Sequence, residues 1–238
     1  MKPRYIPEPI LTAFHNYERS KKFVSSVLSI DISGFTSMCE SLLPNGRSGM
    51  EILASELEAI FSPMIRTIES RGGFIADYAG DALIALFPEK RGMKHENLTY
   101  LAIAAAEDCL AWIKKNELRQ TQAGTFKIGI RAGVSFGEAE FYIIERALGH
   151  QISNYFGYFF CGDVIEKSAI AQNDAPPGEI KLSADAPSPK SCIAVVSKEF
   201  VEPTDADLRL FLHNILIDSI PRGEARRIVS VFGSSRIN

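Results

Sequence analysis

The sequence predicts an α+β domain in which helices cover one face of a mainly antiparallel sheet. Two observations lead to this fold class. Short β-branched runs alternate with long amphipathic helices, and two of these runs are separated only by Gly80-Asp81. A two-residue loop of this kind is typical of a hairpin, whereas a helix between two strands is typical of a crossover. A chain that mixes hairpins with crossovers favours an α+β fold.

The composition is that of an ordinary globular protein. The 238 residues are 46% hydrophobic and 23% charged, with a net charge of −3. Such a length supports one good core with an appendage, and the charge gives no basic field for nucleic acid or an anionic membrane. No apolar run reaches the roughly 20 residues of a membrane helix, and the four cysteines lack Cys-x-x-Cys spacing. We expect a cytoplasmic protein with reduced cysteines and without nucleic-acid or membrane partners.

The chain divides into three predicted segments. Residues 1–22 carry three prolines and a short apolar helix that we expect to dock on the domain. Residues 23–185 form the main domain. Residues 186–238 are a linker with a helix and a final strand, which either begins a second domain or adds to the sheet of the first.

Hydrophobic periodicity defines the elements of the main domain. Gly72-Gly73 ends the longest helix, and Gly133 permits a close backbone approach in a later strand. The predicted elements are a strand at 24–32, helices at 36–43 and 49–70, a hairpin at 74–79 and 82–87, a helix at 98–115, strands at 126–134, 138–148 and 155–161, a helix at 163–172 and a strand at 180–183.

Asp31 is the first candidate site residue. It stands near the end of the apolar strand 24–32, where a lone carboxylate is costly unless something neutralises it. A metal cation is one solution. Ser33, Gly34 and Thr36 follow, and these small residues allow a tight turn into a helix whose first amides can bind phosphate. The alternative is that Asp31 or Ser33 simply caps that helix.

Asp81 is the second candidate site residue. It lies with Gly80 in the predicted hairpin loop, and this pair alone indicates only a turn. Together, a strand-end aspartate beside an anion-binding turn and an aspartate at a hairpin tip can converge on a hard cation. Mg²⁺ is typically held by one or two carboxylates plus substrate phosphates.

At these residues the sequence resembles the class III nucleotidyl cyclases, the adenylate and guanylate cyclase homology domain. The stretch Asp31-Ile32-Ser33-Gly34-Phe35-Thr36 is similar to the family's first metal motif. Gly72-Gly73, followed by Gly80-Asp81 and a strand ending at Phe87-Pro88, is similar to its second. The resemblance covers about residues 24–183 and is nearest to the first, metal-binding domain of soluble tandem-type adenylyl cyclases. It implies a ferredoxin-like βααββαβ core with its site at a dimer interface.

The resemblance also implies a reaction and a set of site residues. The reaction converts a purine nucleoside triphosphate, ATP in preference to GTP, to a 3′,5′-cyclic nucleotide and pyrophosphate. Asp31 and Asp81 are the implied catalytic residues. The implied ligands of two Mg²⁺ or Mn²⁺ ions are these two carboxylates and the main-chain carbonyl of Ile32. The implied triphosphate ligands are Ser33, Gly34, Phe35, Thr36 and Gly80.

The sequence departs from the family where the family supplies its transition-state donors. An Asn and an Arg belong on the helix after Gly162, but Glu166 and Ile170 stand there, and neither can donate a hydrogen bond to a phosphate. Homodimeric members have a purine-reading Lys four residues before the second aspartate, and that position holds Asp77. We therefore expect this chain to supply only the metal-binding half of a shared site.

A partner domain would complete such a site. A second cyclase domain, in cis or in trans, is the expected partner, and a homodimer also remains open. In tandem soluble cyclases a linker similar to residues 186–238 leads into a second cyclase domain. The alternative function is a non-catalytic nucleotide-binding regulatory or dimerisation module. A diguanylate cyclase is disfavoured because Gly72-Gly73-Phe74 lacks the Gly-Gly-(Asp/Glu)-Glu-Phe signature.

Overall fold

The computed structural model describes residues 6–90, 92–147 and 154–187. Its helices are α1 Glu8–His15, α2 Phe35–Leu42, α3 Gly46–Ser70, α4 His95–Lys115 and α5 Asp163–Asn173, and a 3₁₀ turn spans Leu43–Asn45. Its strands are β1 Ser20–Ser33, β2 Phe74–Ala79, β3 Ala82–Pro88, β4 Leu118–Thr121, β5 Gly124–Lys127, β6 Gly129–Ala147, β7 Asn154–Cys161 and β8 Ile180–Leu182. The predicted C-terminal helix and final strand lie outside the described residues.

The described residues form two compact units. Among the described residues, the larger unit contains 23–90, 92–139 and 162–187. The smaller unit contains 6–22, 140–147 and 154–161. In the larger unit the strand order is β2-β3-β1-β6. β3 is antiparallel to β1 and β2, and β8 lies parallel to β6. The elements from β1 to α4, followed by β6, have the βααββαβ order, so the predicted fold class is confirmed.

One face of this sheet carries the hydrophobic core. Alternate residues of β1, namely Leu28, Ile30 and Ile32, are buried against α2, α3 and α4. Burying an aliphatic side chain of this size contributes about 1.5–3 kcal/mol. Because strand residues alternate between faces, the same pattern directs Ser29 and Asp31 to the opposite face. The helical contributors to the core include Phe35, Met38, Leu42, Ile60, Met64, Ile68, Ala102, Ala105 and Cys109.

Helix α5 packs on that opposite face. The hydroxyl oxygens of Ser29 in β1 and Ser168 in α5 are 2.6 Å apart. A Cβ atom at Gly133 of β6 would lie 2.1 Å from the amide nitrogen of Gln172 and 2.2 Å from the carbonyl oxygen of Ser168. The close backbone approach predicted at Gly133 is therefore confirmed, and it places the C-terminal half of α5 directly on β6.

The strands after α4 differ from the sequence prediction. The structure has a single 19-residue strand, β6, where the pattern predicts one strand at 126–134 and another at 138–148. The intervening Gly137 does not adopt a positive φ, so the chain stays extended where a turn was expected. The short antiparallel hairpin β4–β5 was not predicted, because its strands have four residues each and are largely exposed.

The smaller unit joins α1 to the β6–β7 hairpin. Residues 140–147 of β6 pair antiparallel with β7, and the amide of Ile143 donates to the carbonyl of Arg19 at 2.7 Å. The rings of Phe14 in α1 and Phe156 in β7 meet edge to face at 4.8 Å, while the Arg19 guanidinium lies 5.0 Å from the Phe156 ring centre. The predicted N-terminal helix is thus present and is held by aromatic and cation–π contacts.

Gly34 makes the turn from β1 into α2 possible. Its φ is +86°, a left-handed conformation that is costly for residues with a side chain. A Cβ atom there would lie only 2.3 Å from the carbonyl oxygen of Lys127. Glycine is therefore required both by the backbone conformation and by the neighbouring main chain.

We expect Gly34→Ala to lower the free energy of unfolding by about 3 kcal/mol. The left-handed conformation accounts for about 1–2 kcal/mol, and displacement of packed main chain adds about 1–3 kcal/mol. Gly178→Ala is the matched control, because Gly178 has the same φ of +86° with no atom within 4 Å of the added Cβ. Urea denaturation of both variants measures the difference, and equal losses would contradict this account.

Candidate active site

The pairing of β1 with β3 brings the two candidate aspartates to one end of the sheet. Asp31 is opposite Ala82, the residue directly after Asp81. Ala79 pairs with Ala82, so Gly80 and Asp81 form the two-residue loop that the sequence predicts. Directly opposed residues of antiparallel strands have Cα atoms about 4.5–5.5 Å apart. Asp31, in β1, and Asp81, in the loop that leads into the neighbouring β3, therefore lie at the same end of these two strands.

Asp31 is held by an arginine from β6. Arg131 Nε donates a hydrogen bond of 3.0 Å to Asp31 Oδ2, and the side chains are 31% and 21% exposed, respectively. Arg131 Nη1 also donates to the main-chain carbonyl of Asn173 at 3.2 Å. Hydrogen bonds between charged groups are among the strongest in proteins. The guanidinium thus links the Asp31 carboxylate to the C-terminal residue of α5.

Arg131 is the site residue that sequence reasoning missed. The sequence predicts that something must neutralise the Asp31 carboxylate, and in this structure the Arg131 guanidinium does so. The capping alternative is wrong for Asp31 and Ser33, since Gly34 is the N-cap of α2 and no side chain caps that helix. The alternation of Arg131 with the buried Ile130 and Ala132 was a usable signal, but it required knowledge that β6 lies beside β1.

The predicted phosphate-binding residues surround the start of α2. Gly34 and Thr36 are exposed, Ser33 is half-buried, and the Phe35 ring is buried in the core. The first turn of α2 contains no acidic side chain. Amides at an uncapped helix start attract anions. The structure therefore brings this turn and the Asp31 end of β1 together, with Gly80 at the tip of the neighbouring hairpin.

Asp81 is half-buried and acts electrostatically on Cys39 of α2. Burial raises the pKa of the Cys39 thiol, and the Asp81 carboxylate raises it further. Among residues 6–90, 92–147 and 154–187, no group of three or more His, Cys, Asp or Glu side chains forms a ready-made metal site. Any cation bound by Asp31 and Asp81 would therefore need further ligands, such as main-chain carbonyls or substrate phosphates.

Three positions that depart from the cyclase pattern are exposed. Glu166 and Ile170 lie four residues apart on α5, and Ile170 is 53% exposed despite its apolar side chain. Residues four apart in a helix share a face. Asp77 in β2 is also exposed, and its Oδ1 accepts a hydrogen bond from the amide of Tyr78 at 2.8 Å. The face of α5 with Glu166 and Ile170 thus carries a carboxylate and an alkyl group.

Solved structures identify the class of fold. The adenylyl cyclase CyaB from P. aeruginosa matches with a TM-score of 0.55 and 19% identity, covering 69% of this chain and 79% of that chain. The non-canonical dimeric guanylyl cyclase domain of the RhoGC fusion protein from Blastocladiella emersonii matches with a TM-score of 0.53 and 18% identity, covering 69% of this chain and 81% of that chain. The guanylate cyclase domain of RhGC from Catenaria anguillulae in complex with GTP matches with a TM-score of 0.50 and 18% identity, covering 68% of this chain and 79% of that chain. The fold is that of the class III adenylyl and guanylyl cyclase catalytic domains.

Curated relatives narrow this class. Adenylate cyclase type 10 of Rattus norvegicus is 28% identical over 183 residues, which are 75% of this chain and 11% of that protein. The Homo sapiens protein of the same name is 27% identical over 184 residues, with the same two coverages. No protein-family model matches the sequence. The sequence is therefore similar to a part of adenylate cyclase type 10, and the structure has the fold of the adenylyl and guanylyl cyclase catalytic domains. The family resemblance predicted from the two aspartate motifs is confirmed.

The thiol of Cys39 provides a test of the position of Asp81. Asp81→Asn removes a charge that raises the pKa of Cys39, so we expect a larger thiolate fraction and faster alkylation by iodoacetamide at pH 8. Cys161 and Cys192 would be replaced by Ser in every variant. Cys109 should stay unreactive because it is buried and its pKa is raised to about 12.

Asp31→Asn is the control for this measurement, because Asp31 is not among the groups that shift the pKa of Cys39. An alkylation rate that is unchanged in Asp81→Asn, or equally raised in Asp31→Asn, would contradict the electrostatic effect of Asp81 on Cys39.

Proposed function

We propose that this chain is the metal-binding half of a nucleotidyl cyclase, which converts a purine nucleoside triphosphate to a 3′,5′-cyclic nucleotide and pyrophosphate. ATP is the preferred substrate in this proposal, in keeping with the homology to adenylate cyclase type 10. The observation that carries it is the β1–β3 register, which sets Asp31 and Asp81 at the same end of these two strands. The uncapped start of α2 follows directly after this end of β1.

The residues present fit divalent cations. Asp31 already holds a positive group, the Arg131 guanidinium, and Asp81 adds a second carboxylate nearby. Asp31, Asp81 and the carbonyl oxygen of Ile32 would hold two Mg²⁺ or Mn²⁺ ions, with substrate phosphates as the remaining ligands. When bound, such ions favour deprotonation of the ribose 3′-hydroxyl and stabilise charge on the α-phosphoryl and pyrophosphate groups.

The turn after β1 would bind the triphosphate. Gly34 directs the chain into α2, and the buried Phe35 ring fixes the first turn against the core. The amides of Gly34, Phe35 and Thr36 and the Ser33 hydroxyl then supply donors for the β- and γ-phosphates. Gly80, with φ of +69° and open space beside it, leaves the hairpin tip free of side-chain bulk where the phosphates enter.

A second cyclase domain would complete the site. The exposed Glu166 and Ile170 cannot donate hydrogen bonds to a transition-state phosphate, so in this proposal the donors come from another domain in cis or in trans. RhoGC shows that a domain of this fold can form dimers. A homodimer of this chain would repeat the same two residues.

We also propose a cytoplasmic location, which the free thiols of Cys39, Cys109 and Cys161 support.

The second candidate function is a non-catalytic regulatory or dimerisation module that binds metal-nucleotide without turnover. The exposure of Ile170 favours it, since an apolar residue that is 53% exposed on a helix suits a protein contact better than a phosphate contact. Both functions require the same cation and triphosphate site, and they differ only in whether a partner supplies donors.

Nucleotide binding tests the shared part of both functions. We expect Asp31→Asn and Asp81→Asn each to weaken Mn²⁺-dependent ATP or GTP binding by about tenfold or more, because each removes a ligand of the cation. Isothermal calorimetry measures the binding, and circular dichroism checks the fold. Asp174→Asn is the control, since Asp174 is an exposed carboxylate paired with Lys181. Parental binding by both site variants would refute the metal assignment.

The rate of turnover separates the two functions. We expect the 238-residue chain alone to form little or no cyclic nucleotide, because loss of one oriented donor costs about 10²–10³ in rate and two are missing. Glu166→Asn combined with Ile170→Arg should raise the Mn²⁺-supported rate if a homodimer forms, and both positions are exposed enough to accept the changes. Vigorous cyclic nucleotide formation by the unmodified chain would contradict the half-site proposal.

A further inference from the structure

Arg131 occupies the place at Asp31 where a cation would bind. Its Nε atom is 3.0 Å from Asp31 Oδ2, and both side chains are mostly buried. A guanidinium and a divalent cation cannot share one carboxylate oxygen at contact distance without strong mutual repulsion. Arg131 lies outside both aspartate motifs.

We propose that Arg131 is a built-in competitor for the cation site, so that a divalent cation binds Asp31 only by displacing the Arg131 guanidinium from Oδ2. The inference rests on the proposed cation site at Asp31 and adds a residue that sets its affinity. Arg131 is a positioning residue in this scheme: in the cation-free protein it holds the Asp31 carboxylate in place.

The second contact of Arg131 defines where the displaced guanidinium is retained. Nη1 donates to the carbonyl of Asn173, the last residue of α5, and a cation is favourable at a helix C-terminus. Release of Oδ2 therefore leaves Arg131 tethered to α5 instead of free in solvent. Helix α5 also packs on β1 through Ser29 and Ser168. Binding of a cation at Asp31 would therefore affect the C-terminal end of this helix through Arg131.

Titration of the full chain with MnCl₂ alone, without nucleotide, tests the competition. We expect Arg131→Gln to tighten Mn²⁺ binding by about tenfold, because it removes a unit positive charge a few ångström from the bound cation. Arg131→Lys keeps the charge and should stay close to the parent. Arg119→Gln is the matched control, since Arg119 forms a comparable half-buried pair with Glu56 at 2.6 Å that involves neither aspartate.

Thermal unfolding gives a second readout. Without metal, Arg131→Gln should have a lower Tm than the parent because Asp31 loses its partner. The rise in Tm on adding Mn²⁺ should be larger in Arg131→Gln than in the parent. A merely structural role for Arg131 would lower Tm equally with and without Mn²⁺ and leave the Mn²⁺ affinity unchanged, and that result would overturn the proposal.

The double variant Asp31→Asn with Arg131→Gln assigns the tightened binding to Asp31, because it should lose the gain. Absence of any Asp31-dependent Mn²⁺ binding in Arg131→Gln would also overturn the competition. The proposed function fails on a different result, namely Mn²⁺-nucleotide binding that is unchanged in both Asp31→Asn and Asp81→Asn. The two proposals can therefore fail separately.

Discussion

The antiparallel pairing of β1 with β3 is the constraint on which the site of the larger unit depends. A shift of that register by one residue would turn Leu28, Ile30 and Ile32 out of the core, so burial of these three residues fixes the pairing. The same register sets Asp31 opposite Ala82 and hence beside the hairpin loop with Asp81. The position of the candidate site is thus a consequence of core packing.

Charge neutralisation is the second constraint. A carboxylate beside buried strand residues is unfavourable without a counter-ion, and in this structure the counter-ion is the Arg131 guanidinium. Because Arg131 also donates a hydrogen bond to the C-terminal residue of α5, one side chain connects the Asp31 carboxylate, β6 and the helix on the far face of the sheet. A cation at Asp31 would act on all three.

Helix α5 explains why a complete reaction requires a partner in the proposed scheme. Its inner face packs on β1 and β6 through Ser168 and the space left by Gly133. Its outer face presents Glu166 and Ile170 to solvent. The helix therefore keeps its packing role, while Glu166 and Ile170, at the two positions that depart from the cyclase pattern, cannot donate hydrogen bonds to a phosphate. This division allows the fold to persist whether or not the donor positions are retained.

The sequence by itself determined the elements before α4, the Gly80-Asp81 hairpin and the fold class, because these depend on local periodicity and turn chemistry. It also singled out Asp31 and Asp81 as candidate site residues. It did not reveal that β6 is one continuous strand, since an extended Gly137 and a turning one look alike in sequence. Only the tertiary structure placed Arg131 beside Asp31, 100 residues away along the chain. An ion pair between neighbouring strands depends on strand order, and strand order is decided by the packing of the whole sheet rather than by any local segment.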